Sequence, residues 1–233
     1  MELWRIDKAV EGLCGDINAC IHKVNYEETT ESELAYELAN CILGSGVRYE
    51  ISISYASILK EQGMLFYDYI LDSDSSAKLE EALSAPAESV TENLVYKRYR
   101  YPKKGANYIW HSLSRIYDEF GNIRRLISFY PDPSSLRRAL IKICPGIGPK
   151  QASHYLKNIG LTNDMAILDR HIMKYLEISG GESICYNNVS KIEKYEEVEE
   201  RFIELARSFG FPASVVDQAL WFIMRALNGR ALS

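Results

Sequence analysis

Pro145-Gly146-Ile147-Gly148-Pro149 is a run of helix breakers set between two stretches of helical apolar spacing. Leu136, Leu140 and Ile143 recur at helical intervals before it, and Ala152, Tyr155, Leu156 and Ile159 do so after it. The pattern predicts a helix-hairpin-helix. Glycine opens left-handed backbone conformations and Pro149 suits a first helical turn, so the hairpin can present backbone N–H groups at a helix N-terminus. Such a nest holds a phosphate oxygen without reading base sequence. Gly-x-Gly alone would also serve an ordinary turn between helices; Lys150, opening the second helix, and Asp169 downstream set this hairpin apart.

The charge distribution supports a phosphate partner. The chain of 233 residues carries a net charge of −5, yet from Lys97 to Lys157 there are thirteen basic residues against three acids, a local +10. The remainder holds fourteen basic and twenty-nine acidic residues. A basic segment binds a nucleic-acid backbone by releasing counterions, and acidic surfaces elsewhere discourage indiscriminate attachment. Solvated helix faces would account for any one of these cations taken singly.

Composition frames one compact chain, either a large domain or two small lobes, with 47% hydrophobic residues to fill a core. No apolar run approaches the ~18 residues of a membrane helix, and Met1-Glu2-Leu3-Trp4-Arg5 is not a secretory signal. A soluble intracellular protein is expected, in the cytoplasm or on the nucleoid. Cys14, Cys20, Cys41, Cys144 and Cys185 are odd in number and widely spaced, which predicts reduced thiols and no zinc site.

Helical spacing runs through residues 2–24, 31–43, 51–62, 66–70, 108–117, 123–129, 193–209 and 213–227, with Thr30 or Ser32 and Ser134 as candidate caps. A polar stretch at 73–89 contains a short amphipathic run ended by Pro86. Lys97-Arg98-Tyr99-Arg100-Tyr101-Pro102-Lys103-Lys104 alternates charge and aromatics, either a nucleic-acid contact or a charge-protected edge strand. The glutamates 196, 197, 199, 200 and 204 fall mostly on the solvated face of the 193–209 helix. Asp217 and Trp221 lie one turn apart on one face of the last helix.

Pro145-Gly146-Ile147-Gly148 with Lys150, Ala152-Ser153-His154, Asn158-Ile159-Gly160 and Ala166-Ile167-Leu168-Asp169-Arg170-His171 together resemble the helix-hairpin-helix DNA glycosylases, specifically the compact type-2 8-oxoguanine glycosylase/lyases. Weaker likeness runs through Tyr99-Arg100-Tyr101-Pro102 and Ala106-Asn107-Tyr108-Ile109, and on to Asp217 and Trp221. The resemblance implies a mainly α, two-lobed fold with DNA in a cleft between lobes. The expected lobes are a discontinuous one of residues 1–98 and 177–233, and a helix-hairpin-helix lobe of residues 99–176 carrying the catalytic pair.

In that family the lysine at the Lys150 position is the nucleophile and the aspartate at the Asp169 position assists it. An amine in this place can attack C1′ of a deoxyribose, expel the base and leave a Schiff base open to β-elimination. A carboxylate stabilises the positive charge that builds on the sugar as the glycosidic bond breaks, and Asp169 could equally cap the helix that follows it. The resemblance also implies Pro145, Gly146, Ile147 and Gly148 on DNA phosphate, with a monovalent cation plausible at the hairpin backbone and no required cofactor. It places Asp217 and Trp221 in the base pocket.

Arg98, Arg100, Lys103, Lys104 and His171 are candidate DNA contacts. His154 is read as a packed helix residue. Two departures from the family bear on the base removed. Gly44-Ser45-Gly46-Val47-Arg48 replaces polar pocket residues, with Ser45 and Arg48 as candidate substitutes, and the chain continues through Gly229-Arg230-Ala231-Leu232-Ser233. The expected partner is duplex DNA with a damaged or modified base, bound by a monomer without a membrane. Removal of 8-oxoguanine is the leading reading. A glycosylase for another modified base and a non-catalytic helix-hairpin-helix DNA-binding protein remain open; the latter does not require a Lys/Asp pair.

Overall fold

The computed structural model describes residues 3–20, 24–87, 98–180 and 189–227. Lys97, Cys185, the tail 229–233 and the ends of the expected 2–24 and 73–89 segments lie outside them. Within the described residues the chain is helical, and packing divides it into two units. One joins residues 1–24 to 160–233, and the other spans 25–159.

In the first unit, α1 (Leu3–Cys20) turns Ile6, Val10, Cys14 and Ile17 inward at the predicted helical spacing. This unit spans the chain's two ends because α1 packs against the last helix. The second unit begins with α2 (Glu31–Leu43), started by a capping box. The Thr30 side chain accepts the Glu33 N–H at 3.3 Å while the Glu33 carboxylate accepts the Thr30 N–H at 2.8 Å. Then come α3 (Tyr49–Glu61), α4 (Tyr67–Ile70) and α5 (Ser75–Ser84), the last ending at Ala85, whose extended backbone is what the following Pro86 demands.

Helix α6 (Pro102–Phe120) starts six residues before the apolar spacing suggested, because Pro102 occupies its first turn, where a missing N–H costs nothing. Lys103 and Lys104 are therefore helical, and the edge-strand reading of this basic segment is set aside for them. The backbone from Arg98 to Tyr101 is non-helical. After α7 (Ile123–Phe129), α8 (Pro133–Ile143) is capped by Asp132, whose carboxylate accepts the Ser135 N–H at 2.8 Å. This corrects the expected Ser134 cap: Pro133 takes the first helical position and shifts the cap upstream. Helix α9 (Pro149–Asn158) packs on both α8 and α2, and α5 lies along α6. Leu34, Leu38, Leu59, Ile109, Leu136 and Leu156 are fully enclosed, each such burial contributing ~1.5–3 kcal/mol.

The first unit resumes with α10 (Arg170–Gly180), α11 (Ile192–Phe209) and α12 (Ala213–Leu227); α1, α10 and α11 all pack against α12. These boundaries differ from the expected division at 98/99 and 176/177. The apolar stripe of α1 is satisfied by α12, while residues 25–87 bury theirs on α6, α7 and α9. Lys150 thus belongs to one unit and Asp169 to the other. Among the described residues, Cys14, Cys20, Cys41 and Cys144 are free thiols, and no helix is long and apolar enough to cross a membrane.

Gly160 closes α9 with a φ of 75°, the left-handed conformation common just past a helix end. A Cβ there would stand 1.9 Å from the Val24 carbonyl oxygen. Gly160→Ala is expected to lower stability by more than about 2 kcal/mol, since the left-handed backbone alone costs an L-residue ~1–2 kcal/mol before the clash is counted. Urea unfolding checks this; a midpoint equal to wild type would contradict it.

Candidate active site and nucleic-acid interface

The hairpin is built by one left-handed glycine. Gly146 has a φ of 85°, and a Cβ on it would meet Tyr108 Cδ2 at 2.3 Å, so the ring of Tyr108 lies close against the turn. Gly148 caps α9 in extended backbone, φ −100° and ψ −178°, so positive φ is needed at Gly146 and not at Gly148. Ile147 is buried, and its N–H closes the turn on the Cys144 carbonyl at 3.1 Å. Pro145 and Gly146 are exposed. Gly148, Pro149 and Lys150 follow in order as cap, first and second helical positions, so Lys150 leaves the scaffold in the first turn of α9, beside backbone N–H groups that have no carbonyl within the helix to bond.

Lys150 is half-buried. Helix α9 packs on α2, where burial pushes the Cys41 thiol up, Glu37 adds to that, and the Lys150 charge opposes it. Glu37 is also raised by burial, opposed by a bond of 2.9 Å from the Asn158 side-chain amide.

Tyr108 joins the hairpin to the basic segment. Its ring holds Lys104 Nζ 5.3 Å from the centroid, and Arg100 stands 5.2 Å over Tyr101 in the same way. Arg98, Arg100, Lys103 and Lys104 are all exposed, as a backbone-binding surface requires. Other cations of the segment have different work. Arg137 is buried and donates to Ser153 Oγ at 3.1 Å, tying α8 to α9. Arg124 donates to the Thr29 carbonyl and sits over Tyr26, and Arg115 pairs with Glu119 at 2.8 Å. The +10 segment is therefore partly internal scaffolding. Ser45 and Arg48 are exposed in the α2–α3 connection, where Arg48 precedes α3 without a side-chain capping bond.

In the other unit, Asp169 caps α10. Its Oδ1 accepts the His171 N–H at 2.7 Å and the Ile172 N–H at 3.0 Å, while Oδ2 takes no hydrogen bond among the described residues. One oxygen anchors the carboxylate and the other keeps its lone pairs. His171 is 4% exposed, which removes it from the free DNA-contacting surface. Its ring stands edge-on to Trp221 at 6.4 Å, and its Nε2 accepts from Arg170 Nε at 3.3 Å. Arg170 is the exposed cation at this helix start.

Asp217 is buried and Trp221 half-buried on the same face of α12, and Arg225, one turn further on, lies 4.7 Å over the indole. The packing of Tyr108 on the hairpin and the place of Arg225 over Trp221 escaped the sequence reading. Arg225 had a signal, its four-residue spacing from Trp221; Tyr108 stood in the weaker likeness, but its contact with Gly146 joins residues 38 positions apart and leaves no local pattern. Among the described residues, no group of three or more His, Cys, Asp or Glu side chains could hold a metal.

The fold and this turn define a helix-hairpin-helix protein. The family model Ogg-HhH, described as 8-oxoguanine DNA glycosylase, matches residues 19–211, and the chain belongs to that family. It is 31% identical over 199 residues to an 8-oxoguanine DNA glycosylase/AP lyase of Thermotoga sp. strain RQ2, covering 85% of this chain and 83% of that one. The crystal structure of the Methanocaldococcus jannaschii 8-oxoguanine DNA glycosylase is similar at a TM-score of 0.74 and 26% identity, over 96% of this chain and 95% of that one. The M. jannaschii enzyme in complex with a 15mer DNA containing 8-oxoguanine shares the fold at a TM-score of 0.73 and 23% identity, over 98% and 100% of the two chains.

Burial, together with Lys157 and Lys150, pushes the His154 imidazole down to about 4. His154 is thus neutral at neutral pH. A folded value below the unfolded 6.5 means that protons favour the unfolded chain. The contribution of neutral His154 is complete above about pH 6.5 and is lost as the pH falls toward 4. The wild-type urea midpoint should therefore drop more steeply across that window than the midpoint of His154→Asn. Parallel pH dependences would contradict the assignment.

Proposed function

We propose that this protein is a bifunctional DNA glycosylase/AP lyase of base-excision repair that removes 8-oxoguanine from duplex DNA. The observation that carries the reading is Lys150 on the first turn of α9, directly behind a hairpin that turns on Gly146, in a chain of the 8-oxoguanine DNA glycosylase family.

The hairpin backbone at Pro145–Gly148 holds a phosphate of the damaged strand, with Arg98, Arg100, Lys103 and Lys104 adding sequence-independent attraction. The target nucleotide leaves the stack, as an enzyme acting on a duplex base requires, and Asp217 and Trp221 receive the base by hydrogen bonding and packing. The Lys150 amine then forms a bond to C1′ while the C1′–N9 bond breaks. The base departs with the bonding pair and takes up the proton that the amine releases.

Asp169 faces the positive charge that develops on the sugar, a charge absent from the ground state, so its stabilisation lowers the barrier. Opening of the sugar ring gives the Schiff base. Loss of a C2′ proton then expels the 3′ phosphate, cutting the strand, and water releases Lys150. These steps use an amine, a carboxylate and water. A monovalent cation shared between hairpin and phosphate would be held by backbone carbonyls, because Pro145-Gly146-Ile147-Gly148 carries no side-chain oxygen; no step runs through it. A DNA substrate fits an intracellular protein, in this reading one that acts in the cytoplasm or on the nucleoid as a monomer.

Borohydride trapping on duplexes carrying 8-oxoguanine or an abasic site tests this. Wild type should form a covalent adduct with both, and Lys150→Gln should lose both by at least a hundredfold. Trapping at the abasic site alone would retain the lyase and redirect the search to another base. No adduct with either duplex would favour a monofunctional glycosylase or a non-catalytic binder.

A further inference from the structure

The segment between α9 and α10 delivers Asp169 without regular secondary structure of its own, and part of it is buried: Ala166 is fully enclosed and Leu168 is 1% exposed. Buried backbone N–H and C=O groups outside a helix need partners from elsewhere. Helix α11 supplies three. Glu199 Oε1 accepts the Ala166 N–H at 3.0 Å, Tyr195 donates its hydroxyl to the Ala166 carbonyl at 2.7 Å, and the same hydroxyl oxygen accepts the Leu168 N–H at 3.1 Å. Tyr195 and Glu199 stand one turn apart, and both are buried. The solvated face expected for Glu199 is thereby corrected: the loop backbone draws this one glutamate inward. A carboxylate is costly to bury unless it is hydrogen-bonded, and here it is spent on a backbone donor three residues before Asp169.

We infer that Tyr195 and Glu199 are positioning residues for base excision, clamping Ala166 and Leu168 so that the Asp169 carboxylate keeps a fixed place. The inference rests on the charge-stabilising role proposed for Asp169. Downstream, the carboxylate is fixed by the α10 N–H groups of His171 and Ile172, and the Asp169 N–H is held on the Ile167 carbonyl at 2.6 Å. Upstream, the clamp is the corresponding restraint. With both ends held, Oδ2 has little freedom to drift, and small misplacements of a group that meets transition-state charge carry large rate penalties.

The test is single-turnover excision from an 8-oxoguanine duplex by the full chain, comparing Tyr195→Phe and Glu199→Met, alone and each combined with Asp169→Asn. Affinity for an undamaged duplex is measured alongside. Each clamp variant is expected to slow excision at least tenfold with affinity within twofold of wild type, and to add less than twofold in the Asp169→Asn background. Should Tyr195→Phe fail to fold, Glu199→Met alone decides the question by the same criteria. Excision within twofold of wild type, or a tenfold loss that persists when Asp169 is already replaced, would overturn the clamp while leaving the role of Asp169 intact. A wild type that does not excise 8-oxoguanine, or an Asp169→Asn variant as fast as wild type, would overturn the parent reading and the clamp with it.

Discussion

The close approach of Tyr108 to Gly146 governs the chemistry proposed for this chain. A left-handed glycine reverses the chain between α8 and α9 close beside an aromatic ring, and no side chain fits in the space between. That reversal sets the direction of the first turn of α9, and with it the point from which Lys150 emerges. The same ring carries Lys104, so the turn and a cation of the neighbouring helix share one surface feature. The proposed phosphate binding and nucleophile placement would consequently be two results of a single backbone conformation.

Asp169 shows a different economy. A helix start needs its first N–H groups satisfied, and one oxygen of a capping carboxylate does this while the other keeps its lone pairs. Capping and the proposed charge stabilisation are therefore compatible in one residue, and the structural role supplies the rigidity that the proposed chemical role requires. Buried polar groups elsewhere follow the same logic. Arg137 is enclosed because Ser153 answers it across the two hairpin helices, and Glu199 because a loop N–H needs an acceptor.

Much of this was legible in the residues. Helices α2, α11 and α12 announce themselves by apolar periodicity and, for α2, by Thr30 and Glu33; the hairpin with Lys150 and Asp169 stands out by residue type and spacing. What escaped has physical reasons. Pro102 reads as a breaker in sequence but serves as a first-turn residue, so α6 begins earlier than its periodicity. Asp132 caps because Pro133 takes the next place, a choice between neighbouring candidates that spacing does not settle. Arg137 and Glu199 carry charge and so read as surface, though tertiary hydrogen bonds draw them inside. The division into units depends on α1 meeting α12, a contact between the two ends of the chain that local pattern cannot carry.

The central claim is that the amine emerging from the hairpin is the one that meets the sugar. Reduction of the wild-type protein on an 8-oxoguanine duplex with borohydride, followed by proteolysis and mass mapping of the adduct, tests it directly. The account predicts the deoxyribose remnant on the peptide containing Lys150. Its appearance on Lys103, Lys104 or the terminal amine, with Lys150 unmodified, would contradict it.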